Sequence, residues 1–136
     1  MNSWIFFAIM ALIIYGFWGF FPKLAVTYID PMSALVFEVA GAILVGFVVL
    51  ALTGFAPQTH PRGVLFAMLT GITGMAGTLC LFAAASKERI SLVSSLTAVY
   101  PLITILLAII FLKESLSLKN ILGIFFAMLA IFLLSS

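Results

Sequence analysis

The sequence predicts an all-α integral membrane protein with five transmembrane helices in a single domain over residues 1–136. Three observations predict it. Apolar runs fall at Trp4–Ala25, Met32–Thr53, Val64–Ala85, Leu92–Leu112 and Ile121–Leu134, each near the ~20 residues that cross a ~30 Å hydrocarbon core. Hydrophobic residues make up 65% of the chain and charged ones 7%, whereas soluble domains run at about 25% charged. The joints are short, which makes consecutive helices antiparallel neighbours. The runs are continuously apolar and do not alternate with period two, which argues against a β-barrel.

Each element has its own warrant. The first run follows Met1-Asn2-Ser3 with no basic start and continues past Tyr15 and Trp18, so it reads as a retained helix and not a cleaved signal peptide. Pro22-Lys23 is expected to bend or end it, with Lys23 either snorkelling to the surface or pairing with Glu38. Asp30-Pro31 closes the first crossing and opens the second, because proline suits a helix's first turn. Gly54 to Pro61 is the longest connector. Gly41, Ala42 and Gly46, then Gly71, Gly74 and Gly77, then Gly123 and Ala127 stand at spacings that let helix backbones approach in lipid. Ser86-Lys87-Glu88-Arg89 forms a charged turn before the fourth run. Ser117 is the expected N-cap of the last helix, with Glu114 placed to favour its positive end.

Charge leaves the orientation open. Alternate threading puts Arg62, Lys113 and Lys119 on one side and Lys23, Lys87 and Arg89 on the other. Lys and Arg asymmetry normally decides which way a membrane protein faces. An even split permits insertion both ways up, and hence pairing with an inverted copy. The net charge of +2 is too small and scattered for nucleic-acid binding. The single cysteine, Cys80, excludes an intrachain disulfide.

Glu38 is the candidate for chemistry. It lies six residues after Met32, roughly 9 Å along the second helix. A charged carboxylate at such depth costs at least ~2.5–3.5 kcal/mol, so it should face the interior and have a use. It can hold a proton or a cation, but not both comfortably, which is the physical basis of proton-coupled exchange. A plain packing carboxyl is the alternative. Tyr15 and Trp18 cluster late in the first run with Phe17, Phe20 and Phe21, where aromatic faces attract organic cations. Trp18 reads equally as pocket wall or packing. In the fourth run Pro101 removes a backbone donor and frees the carbonyl near Thr97. Thr97, Tyr100 and Thr104 then share a hydroxyl-bearing face beside a kink. No phosphate-binding loop, zinc motif or nucleophile elbow is present, and His60 stands alone, so neither an enzyme nor a cofactor or metal is expected.

Two segments resemble a known family. The stretch from Tyr15 to Lys23 (YGFWGFFPK) and the stretch from Leu96 through Tyr100-Pro101 and Lys113-Glu114 to Gly123 resemble the EamA-type repeat of the drug/metabolite transporter superfamily. The resemblance covers essentially the whole chain as one five-helix half. It implies export or exchange of small metabolites or drugs through a path between two halves in opposite orientation. This chain holds one half, and an odd number of spans puts its termini on opposite sides, as inverted repeats require. An antiparallel homodimer, as in the related small multidrug resistance family, or a paired homologue would supply the rest. Glu38 stands near where many members carry a basic residue, which points to cationic amines or proton coupling.

The expected function is a small secondary transporter in a prokaryotic inner membrane, with lipid and a small molecule as partners. Glu38 is the shared proton and substrate site, Trp18, Tyr15, Tyr100 and Thr97 line the pocket, and Pro101 makes the kink. A non-transporting membrane subunit and a lipid-carrier flippase subunit are the alternatives. The lack of a dense basic cluster for a phosphorylated headgroup weighs against the latter.

Overall fold

The computed structural model describes residues 3–135. It shows six helices and no strand among those residues. They group into two units, Met1–Lys87 and Glu88–Ser136.

The first unit holds three long helices: α1 (Ser3–Tyr28), α2 (Pro31–Leu52) and α3 (Pro61–Lys87). Each is long and apolar enough to cross a membrane. Pro22 neither ends α1 nor leaves it, because the helix runs on to Tyr28 and Pro22 is buried within it. The expectation of a helix end at Pro22 is corrected here. A proline is tolerated in such a helix where neighbouring helices cover the weakened turn, and buried Pro22 meets that condition.

The α1–α2 joint is only Ile29-Asp30, and its chemistry is explicit. Asp30 is the N-cap of α2, with Pro31 in the first turn. Its Oδ1 accepts from the main-chain N–H groups of Met32 (2.9 Å) and Ser33 (3.0 Å), two of the donors that a helix start leaves without partners. The Ser33 hydroxyl donates to Oδ2 at 2.5 Å. These bonds favour the charged carboxylate, so they hold the Asp30 carboxyl below the ordinary aspartate value, the Ser33 side chain contributing most.

α2 ends in a Schellman turn. The N–H of Phe55 reaches back to the carbonyl of Leu50 (2.9 Å) and that of Gly54 to Ala51 (3.0 Å), which is the paired pattern of that motif. It requires a left-handed residue after the cap, supplied by Gly54 at φ 64°, and Phe55 follows it at φ 59°. The Phe55 ring then meets Phe47, with centroids 6.1 Å apart.

Packing in this unit is concentrated at one end. α3 lies against both α1 and α2, and the buried residues are Pro22, Ala34, Thr78, Leu81, Phe82 and Ala85. They cluster where α1 ends, α2 begins and α3 ends. Ala34 and Ala85 are small, so the backbones can close in without a hydrophobic drive from lipid. Here Lys23 Nζ donates to the main-chain carbonyl of Ala85 at 2.7 Å. That carbonyl is in the last turn of α3, where carbonyls lack intrahelical partners and a cation is favoured. The glycines expected to line interhelical contacts do not act so within the chain. A Cβ added at Gly41, Gly46, Gly71, Gly74, Gly77 or Gly123 would meet nothing within 4 Å.

The second unit holds α4 (Ile90–Thr97), α5 (Tyr100–Leu112) and α6 (Leu118–Ser135). The fourth apolar run is therefore two helices, broken at Ala98-Val99, although Ile90–Leu112 together has the length and hydropathy of a crossing. Pro101 stands in the first turn of α5, where a missing N–H costs nothing. α4 packs on α6, with Val93 buried. Lys113 closes α5 in the left-handed conformation at φ 55°. The Ser117 hydroxyl accepts the N–H of Asn120 at 3.3 Å and so caps α6. Glu114 lies before that helix and not in its first turn, which corrects the expected dipole role.

Candidate functional site

The site is built in the first unit. Glu38 lies on the second turn of α2, with small residues around it on the same helix: Ala34 four residues before, Gly41 and Ala42 three and four after. On a helix those positions are its immediate neighbours. Their small side chains leave a recess beside the carboxyl. α1 supplies the facing wall through Tyr15, Trp18, Phe21 and Pro22, and α3 contributes Phe82. The result is an open cleft of about 780 Å³, within the ~300–1,000 Å³ of small-molecule sites. Among its lining residues Glu38 alone is charged.

Two contacts fix the polar part. The Trp18 indole N–H donates to Oε1 of Glu38 at 2.9 Å. Oε2 is buried and has no hydrogen-bond partner. Tyr15 stands edge-on to Trp18, with ring centroids 6.3 Å apart and planes at 67°, the offset geometry aromatic pairs prefer. Pro22 cannot donate to the Trp18 carbonyl one turn back, so α1 lacks one of its own bonds at the level of the cleft. Lys23 Nζ donates to the Ala85 carbonyl, a contact that neither fate foreseen for it includes.

Three of the sequence-derived site residues thus come together: Glu38, Trp18 and Tyr15. Thr97, Tyr100 and Pro101 belong to the second unit, at the break between α4 and α5. Thr97 and Tyr100 fall on different helices, so the shared face expected from a continuous helix is interrupted. The Thr97 hydroxyl donates to its own helix, to Val93 (2.9 Å) or Ser94 (3.2 Å), as intramembrane hydroxyls do when they satisfy themselves locally. Sequence reasoning did not single out Phe37 or Phe82, and among the small residues around Glu38 it passed over Ala34 and read Gly41 and Ala42 as helix-packing positions. The signal for these small residues was present, as Ala34, Gly41 and Ala42 sit at helical spacing from the carboxylate. Phe82 carried none, because its place depends on how α3 crosses the other two helices. Among the described residues no group of three His, Cys, Asp or Glu is placed to hold a metal.

A carboxylate in an aromatic cleft between apolar helices has the chemistry to hold a cation or a proton. The profile of the EamA-like transporter family matches residues 2–136. The chain belongs to the EamA-like transporter family. The resemblance of the Tyr15–Lys23 and Leu96–Gly123 stretches to that repeat is thereby established, and with it an all-α, multi-pass integral membrane fold. An uncharacterised protein of Methanocaldococcus jannaschii is similar, at 29% identity over 135 residues, covering 99% of this chain and 98% of that one. No solved structure matches. The family name is that of transporters, and its membrane setting explains the surface: large apolar side chains such as Phe7, Leu12, Leu44 and Phe66 are exposed, as a hydrocarbon solvent favours.

Proposed function

We propose that this EamA-like protein is a proton-coupled secondary transporter that exports or exchanges small cationic metabolites or drugs. Glu38 is its exchange site. The reading is carried by one observation: a carboxylate with one oxygen on an indole N–H and the other buried without a partner, in a cleft with no other charge. An unpartnered buried carboxylate oxygen is costly, and a bound proton or cation relieves that cost. Binding of one displaces the other, and that exclusion couples their movements. The rings of Trp18 and Tyr15 supply cation–π attraction worth ~2 kcal/mol or more once desolvated. Tyr100 and Thr97, beside the break before Pro101, would line the path in the second unit, with the break as a hinge.

A single five-helix half is completed in this proposal by a second copy in inverted orientation, or by a paired homologue, in a prokaryotic inner membrane. The even split of Lys and Arg supports it, since orientation then has no strong preference. The deciding experiment is flux in proteoliposomes under an imposed pH gradient, with a panel of amines and quaternary cations. Glu38→Gln keeps the shape and removes the charge. It should abolish proton-driven flux with insertion intact. Flux unchanged in that variant removes Glu38 from the mechanism, and wild-type protein that moves nothing from the panel favours a non-transporting subunit.

A further inference from the structure

The two oxygens of Glu38 are not equivalent. Oε1 accepts the Trp18 N–H, whereas Oε2 is out of contact with water and accepts nothing. Leaving a carboxylate oxygen bare in that position is expensive, and a proton on it removes the charge. Indole can only donate. It therefore cannot take up or share the proton, and its bond decides which oxygen stays available. With the proton on Oε2, Oε1 becomes the carbonyl oxygen of a neutral acid, and an N–H donor still satisfies it.

We propose that Trp18 is a positioning residue that assigns the proton to Oε2 of Glu38. The inference rests on the reading of Glu38 as the exchange site and adds the order of events there. In the proton-loaded state the carboxyl is neutral, is held by the indole and offers the cleft no charge. The carboxyl first turns to bring Oε2 to the open cleft, and transfer of its proton to water there leaves a carboxylate with one bare oxygen. A cation then meets that oxygen between aromatic rings. Few other groups compete. Tyr15 is the other titratable residue lining the cleft, α2 adds none besides Glu38, and α3 contributes Phe82. The Lys23 ammonium donates to the Ala85 carbonyl.

Infrared spectroscopy of the reconstituted full-length protein tests this without a known substrate. The carbonyl stretch of a protonated carboxyl falls in frequency when its C=O accepts a hydrogen bond. Across a pH series the wild type should show a protonated-carboxyl band that Glu38→Gln removes. Trp18→Phe, which lacks the donor, should move that band to higher wavenumber. Should that variant fail to fold, benzothienylalanine at position 18 keeps the ring shape with sulfur in place of N–H and should give the same shift. A band that stays put with the isostere, or no band sensitive to Glu38→Gln, overturns the proposal. Tetraphenylphosphonium added to the wild type should diminish the band. A band indifferent to that cation, yet shifted in Trp18→Phe, sinks the exchange reading while the proton assignment stands.

Discussion

Asp30 and Glu38 lie eight positions apart and answer to opposite solvents. Asp30, in the joint outside the spans, gathers three donors and is held below the ordinary aspartate value. A carboxyl depressed in the folded state stabilises the fold above the ordinary aspartate range. That contribution is lost as pH falls through the lowered folded value. Acidification below roughly pH 4 should therefore lower the thermal midpoint in detergent. Asp30→Asn, which keeps the cap and loses the charge, should flatten that part of the curve, and an unaltered curve contradicts the account. Glu38 has instead a single donor and a recess of small residues. In our proposal its environment serves binding and release more than stability, so Glu38→Gln should spare melting while it stops flux.

At the level of the helix, ends matter more than middles, because the interiors satisfy their own backbone groups in lipid. α2 ends on a left-handed Gly54, and any other residue there meets the Cβ clash of that conformation. Gly54→Ala should cost about 1–2 kcal/mol, measured as a shift in denaturant-induced unfolding in micelles. A neutral result means that the turn relaxes into another form. α1 shows the converse. Pro22 in mid-helix is tolerated where α3 and α2 pack close by, and the cost of its missing donor falls beside Trp18, the residue that holds Glu38. The α4–α5 break follows the same logic, since Pro101 begins a helix more readily than it continues one.

Across the whole molecule, the first unit holds a cleft with one carboxylate, and the chain supplies one family repeat. An antiparallel pair is the assembly that our proposal requires. Cysteines placed at Gln58 and Ser86, on a Cys80→Ala background, should each react with an impermeant maleimide from both sides of sealed vesicles. Labelling of each site from one side alone contradicts dual orientation and points to a different partner. Open glycine positions on α2 and α3 are compatible with either partner.

How much was legible depends on range. The apolar runs, the Asp30-Pro31 start, the Ser117 cap and the isolation of Glu38 are local features, written in composition and spacing. The pairing of Trp18 with Glu38 was suggested only as membership of one pocket, for two residues twenty apart meet only if α1 and α2 fold back at the right angle. The helix end foreseen as one outcome at Pro22 does not occur, because a proline's effect depends on the neighbours that cover the turn. The sequence by itself determined that this chain is a membrane-embedded helical repeat, since hydrocarbon admits few backbone solutions and hydropathy reports them directly. Only the tertiary structure decided which oxygen of Glu38 is held and which is bare, and that Lys23 serves the end of α3. Those are distances between helices, and no periodicity along one chain encodes them.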